Sequence, residues 1–129
     1  MKLTNKKLVE SINLTMQVAQ KQLPVKASYA ISQNISKIKP ILETYNKERE
    51  KILSKYAEKD DKGKIILQAD GISAKLKDAK AVESFKKDID TLLSISNEID
   101  IRKIKISDTG DVKFSAAELS AIDYMIADK

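Results

Sequence analysis

Between residues 31 and 56 the apolar side chains recur in alternating steps of four and three: Ile31, Ile35, Ile38, Leu42, Tyr45, Ile52 and Tyr56, with Arg49 in the one polar slot. A helix brings residues at this spacing to one side, and a heptad-like seam commits the segment to packing along its length. Lys47, Glu48, Glu50, Lys51 and Lys55 fall between the seam positions and make a charged outer face. Pro40 sits inside the run. Its missing N–H, and the clash of its ring with the carbonyl four residues back, predict a kink near Lys39. The alternative is two helices, over about 25–38 and 40–58.

A seam needs a surface to pack on. Leu8, Ile12, Met16, Ala19 and Leu23 recur at steps of three or four and form one stripe, widened by Val9 and Val18. Thr4 or Asn5 can cap this first helix, which is expected to run to about Gln20. Pro24 then interrupts the pattern and suits the start of a new helix. Residues 1–58 therefore read as a long helical hairpin.

The rest of the chain changes period. Asp60-Asp61-Lys62-Gly63 reads as a turn. Ile65-Ile66-Leu67 and the run from Ile72 to Leu76 flank Ala69-Asp70-Gly71, the pattern of a β-hairpin. Asp78 can cap a helix to about Ser94, with Val82, Phe85, Ile89 and Leu92 or Leu93 as its stripe. From Ile99 to Ile106 apolar and polar residues alternate, but the parity changes at Arg102-Lys103, as a β-bulge would require. Asp108-Thr109-Gly110-Asp111 is a turn signal, and Val112-Lys113-Phe114 is expected to return as the second strand of a second hairpin. Ser115-Ala116-Ala117-Glu118 has the form of a capping box, and a last helix should follow with Leu119, Ile122 and Met125 or Ile126 inward. The expected fold is α+β and mostly α: a long helical hairpin with a kinked second helix, two short β-hairpins and two further helices. A length of 129 residues suits one domain over 1–129, divided into the helical hairpin (1–58) and a hairpin-helix-hairpin-helix part (59–129).

Composition removes most routes to catalysis. There is no Cys and no His, hence no Cys/His zinc site, no thiol nucleophile and no Ser-His pair. Ser36-Lys37 and Ser54-Lys55 are neighbours on a helix and point apart. Asp60-Asp61 and Asp108 to Asp111 lack the alternating oxygen ligands and late bidentate Glu of a calcium loop. Asp88 and Asp90, two apart on a helix, do not face each other. The three glycines stand in separate turns, so no phosphate-binding spacing exists. The expectation is no enzyme, no metal and no cofactor. Residues 8–19 are interrupted by Glu10, Asn13 and Gln17, which argues against a signal peptide. No apolar run approaches the ~20 residues needed to span a bilayer, so no membrane role and a cytosolic location are expected.

The net charge of +5 comes from 24 basic and 19 acidic residues, a mixed surface rather than a polycation. Two clusters stand out: Lys2, Lys6 and Lys7, and Arg102, Lys103, Lys105 and Lys113 on the expected second hairpin. A basic β-ribbon can track phosphates, whereas Lys on an edge strand can equally serve to block aggregation. Tyr29, Tyr45, Tyr56 and Tyr124 fall mainly at stripe spacing and read as core.

Several segments taken together resemble a known group. They are Lys2-Leu3-Thr4-Asn5-Lys6-Lys7-Leu8, Leu23-Pro24-Val25-Lys26-Ala27-Ser28-Tyr29-Ala30-Ile31, Tyr45-Asn46-Lys47-Glu48-Arg49-Glu50-Lys51, Lys55-Tyr56-Ala57-Glu58-Lys59-Asp60 and Ser115-Ala116-Ala117-Glu118-Leu119-Ser120-Ala121-Ile122-Asp123. They look like a family of small uncharacterised proteins encoded by phages and prophages of Gram-positive bacteria. The resemblance implies a phage-encoded protein in the host cytoplasm, and carries no activity or site residues. Two readings follow. The first is a non-enzymatic protein-binding module, either an assembly or virion-associated component or an inhibitor of a host defence protein. Its contact residues would be Lys47, Arg49, Lys51 and Lys55 on the long helix and Arg102, Lys103 and Lys105 on the hairpin. The second is a nucleic-acid-binding accessory protein using the basic hairpin. A homo-oligomer through the long helix stays open.

Overall fold

Capping side chains set the helix starts. Thr4, in extended conformation, accepts a hydrogen bond from the Lys7 N–H through its hydroxyl (3.1 Å) and opens α1, Asn5–Ala19. Pro24 precedes α2, Val25–Tyr56, and its carbonyl accepts from the Ser28 N–H (3.0 Å). Asp78 accepts from the Ala81 N–H (2.7 Å) and opens α3, Ala79–Ser94. Ser115 and Glu118 form the expected reciprocal capping box at the start of α4, Ala116–Ala121. The computed structural model describes residues 1–68 and 74–127. Among them the chain is mostly helical, with these four α-helices and one two-stranded antiparallel sheet. The sheet pairs β1, Lys2–Thr4, with β2, Ser96–Glu98, in the register Leu3 to Asn97.

The seam of the second helix forms as its spacing requires. Ile31, Ile35, Ile38 and Tyr45 are buried, Leu42, Ile52 and Tyr56 half-buried, and Arg49 exposed. The helix runs through Pro40 rather than breaking into two. The chain forms two compact units, Met1–Leu42 with Ser96–Lys129, and Glu43–Ile95, and the division falls inside α2.

In the first unit, Leu8, Ile31, Ile38, Ile122 and Met125 are the large side chains most completely withdrawn from water. The buried face of α1 is Asn5, Leu8, Ser11, Thr15 and Val18, rotated away from the apolar stripe, whose Ile12, Met16 and Ala19 are half-buried. Small side chains at Ser11 and Thr15 suit the close contact of α1 with α4. Their hydroxyls donate to carbonyls of their own helix, Leu8 (3.4 Å) and Ser11 (2.8 Å), so burial leaves neither donor unpaired.

The second expected hairpin is replaced by a different arrangement. Residues 106–109 form a 3₁₀ turn, Ile106–Thr109, and Ile104 pairs in parallel with Ile126 instead of facing residues 112–114. The physical reason lies at the parity change. The backbone N–H of Arg102 donates to Asn34 Oδ1 (2.8 Å) and its carbonyl accepts from Asn34 Nδ2 (3.0 Å), so a helix side chain takes the groups a strand partner would need. Asp108 then accepts from the Lys105 N–H (3.3 Å), and the Thr109 hydroxyl donates to the Ile106 carbonyl (2.6 Å), which coils the chain before it can return.

In the second unit Tyr45, Ala57, Ala81 and Leu92 are buried. The Tyr56 hydroxyl donates to Asp88 Oδ2 (2.7 Å), joining the end of α2 to α3. The Asp60 to Gly63 turn forms as expected. Asp60 Oδ1 accepts from the N–H groups of Lys62 and Lys64 (both 2.9 Å), and Gly63 takes a φ of +80° that a side chain would resist. Antiparallel bridges join Ala57 to Leu76, Lys59 to Ile65 and Leu67 to Ala74. The expected tip of the first hairpin, Ala69-Asp70-Gly71 with Ile72, lies outside the described residues.

Candidate functional site

Asn34 is fully buried on α2, one turn beyond Ala30 and Ile31. Its side-chain amide offers one acceptor and one donor in a plane, which matches the N–H and C=O of a single residue. Gripping Arg102 at both groups fixes the backbone from which that side chain leaves. The Arg102 guanidinium then lies over the ring of Tyr29, 5.3 Å from its centroid. Tyr29, expected in the core, is 51% exposed. Tyr45 and Tyr124 are the tyrosines that are buried.

An open cleft of about 410 Å³ adjoins this pair. Helix α2 contributes Val25, Lys26 and Tyr29 to it, and the facing segment contributes Arg102, Lys103 and Asp108. Val25 is 84% exposed. Lys26 Nζ lies 3.9 Å from Asp108. Lys103 Nζ donates to the Tyr124 carbonyl (2.8 Å) and is committed to the fold. Arg102 makes no ion pair with a carboxylate among the described residues. The cleft thus combines a cation that pairs with no carboxylate among the described residues, an exposed aromatic ring and an exposed aliphatic side chain.

The other expected contact residues sit apart from it. Lys105 is exposed, and its backbone enters the 3₁₀ turn. Lys47, Arg49, Lys51 and Lys55 are all exposed on the part of α2 in the second unit. Lys51 pairs with Glu48 (3.1 Å), and Lys55 lies over the Tyr56 ring (5.2 Å to the centroid). Lys7, of the N-terminal cluster, pairs with Asp123 (3.0 Å), and Lys6 reaches Glu10 at 4.0 Å.

One buried acid was not foreseen as a junction. Glu118 accepts from the Ser115 N–H (2.9 Å) through one oxygen, and through the other from Gln17 Nε2 (3.3 Å) and Lys21 Nζ (3.4 Å). The Ser115 backbone bond chiefly, and Lys21, hold its carboxyl below the ordinary range against the opposing effect of burial. These groups satisfy one another and join α1 to α4, so the cluster is structural. Nearby, burial pushes the Tyr124 hydroxyl above its usual range, with Ser11 and Thr15 pulling the other way. No well-formed hydrogen bond reaches that oxygen.

Among the described residues there is no group of three or more metal-ligating side chains, and no helix is long and apolar enough to cross a membrane. No protein-family model matches the chain, and neither a curated protein nor a solved structure is found similar to it.

Proposed function

We propose that this chain is a non-enzymatic, phage-encoded protein-binding module of the host cytoplasm. It acts either as an assembly or virion-associated component or as an inhibitor that covers the surface of a host defence protein. The observation that carries the reading is the Arg102–Tyr29 pair beside the exposed Val25. Arginine and tyrosine are the residue types that concentrate binding energy at protein interfaces, and an adjoining aliphatic group gains when a partner removes it from water.

The nucleic-acid reading draws less support. It rested on a basic ribbon, and the ribbon is absent from the described residues. Lys103 and Lys7 are held by internal partners. Phosphate tracking depends on several free cations along one path.

The test is retention by the tagged protein from phage-infected cells, with and without nuclease, compared with a Tyr29→Ala/Arg102→Glu variant. One protein retained after nuclease by the native chain, and lost by the variant, is the expected result. Retention abolished by nuclease would select the nucleic-acid reading. Equal retention by both chains would remove this cleft from the function.

A further inference from the structure

We infer that the Tyr29–Arg102 cleft receives an acidic peptide segment, with an Asp or Glu carboxylate on the Arg102 guanidinium and a neighbouring apolar residue against Val25. This rests on the protein-binding reading and adds the chemistry of the partner.

Charge complementarity carries the argument. Within the cleft Lys26 lies 3.9 Å from Asp108 and Lys103 donates to the Tyr124 carbonyl, whereas Arg102 pairs with no carboxylate among the described residues. A ring contact leaves the N–H donors of a guanidinium available, and these form the fork that matches a carboxylate in two parallel bonds. The fork is also held in place. Asn34 grips the Arg102 backbone from a fully buried position, and Tyr29 restrains the side chain. Less rotamer freedom is therefore lost on binding.

The surroundings favour a peptide over a nucleic acid. Val25 is 84% exposed and Tyr29 51%, four residues apart and hence on one face of α2. Ile106, 53% exposed, lies on the turn between the cleft residues Ile104 and Asp108. A polyphosphate gains nothing from these apolar groups. The ring face covered by Arg102 is also closed to a stacking base.

A positional-scanning library of acetylated nonapeptides, screened against the full chain, tests the inference. The expected result is enrichment of Asp or Glu at one position beside an enriched aliphatic or aromatic residue. A peptide so selected should bind at least about tenfold more weakly to Arg102→Ala, consistent with one charge-assisted pair. Arg102→Lys, which keeps the charge and loses the fork, should also weaken it. Lys80→Ala, an exposed position in the second unit, should leave it unchanged. No enrichment, enrichment without an acidic position, or affinity unchanged in Arg102→Ala overturns the inference. Partner retention as described above would still stand, so the two readings fail separately. Preferential binding of a labelled single-stranded 20-mer oligonucleotide, lost with Arg102, overturns both.

Discussion

Removing the Asn34 amide should loosen the first unit and release the segment that carries Arg102. In Asn34→Ala the Arg102 N–H and C=O lose partners at 2.8 and 3.0 Å. A buried backbone group left unpaired costs about 1–3 kcal/mol. Arg102 itself is exposed, so water recovers part of the loss, and the expected destabilisation is about 2–3 kcal/mol for the pair. Asn34→Leu fills the volume without restoring either bond and should be no better. Asn34→Asp separates packing from bonding, since a carboxylate keeps the acceptor for the Arg102 N–H but sets an oxygen against the Arg102 carbonyl. When protonated, it can donate to that carbonyl instead. Its deficit relative to the native chain should therefore shrink as the pH is lowered from 7 toward 4. Urea unfolding measures the stability, and amide hydrogen exchange reads the Arg102 N–H directly. An Asn34→Ala chain in which that amide exchanges as slowly as in the native protein would refute the reasoning, whatever its global stability.

Four further outcomes are expected. Glu118 has a lowered carboxyl pKa in the folded chain, so its contribution is complete above its unfolded value near 4.5 and is lost as the pH falls through the folded value; Glu118→Gln should flatten this acid limb in circular dichroism. Gly110 has φ +63° and ψ −136°, and an added Cβ would meet Pro24 Cγ at 3.4 Å, so Gly110→Ala should lower stability by about 1–3 kcal/mol; a change below about 0.5 kcal/mol in thermal unfolding would contradict it. Tyr124→Phe removes an unpartnered buried hydroxyl and should be neutral or stabilising; a loss above about 1 kcal/mol would mean that Ser11 or Thr15 bonds it after all. Tyr56→Phe deletes the bond to Asp88 and should cost about 1 kcal/mol, read as a lower urea midpoint for the second unit.

What was legible in the sequence was local. Thr4, Asp78 and Ser115 cap helices because a hydroxyl or carboxylate two or three residues ahead of an amide needs no distant partner. The seam from Ile31 to Tyr56 was legible for the same reason. The hairpin error began with a correct observation, the parity change at Arg102, and failed because its cause lies 68 residues away in Asn34. A signal was present. Asn34 stands three residues after Ile31 and four before Ile38, a polar side chain on an apolar face, where a buried amide must find partners. The Tyr29–Arg102 pair had no such signal, because tyrosine spacing on a helix does not distinguish core from rim. The pairing of Leu3 with Asn97 likewise follows from chain return rather than from pattern. Ser11 and Thr15 mislead hydropathy because bonding to their own helix lets them enter the interior.

The first unit is assembled from two stretches of chain, Met1–Leu42 and Ser96–Lys129, with the second unit contributed by the residues between them. On a ribosome this order matters. Every contact internal to residues 43–95 can form once residue 95 has left the exit tunnel. The first forty residues, by contrast, must wait with Ile31, Asn34 and Ile38 unsatisfied until Ile99, Arg102 and Ile104 arrive. The closure they wait for spans a long loop and is the slower kind of event. Arg102 joins Tyr29 only at that stage, so the cleft is completed after the second unit has emerged, and a nascent chain displays α2 before it can display the site.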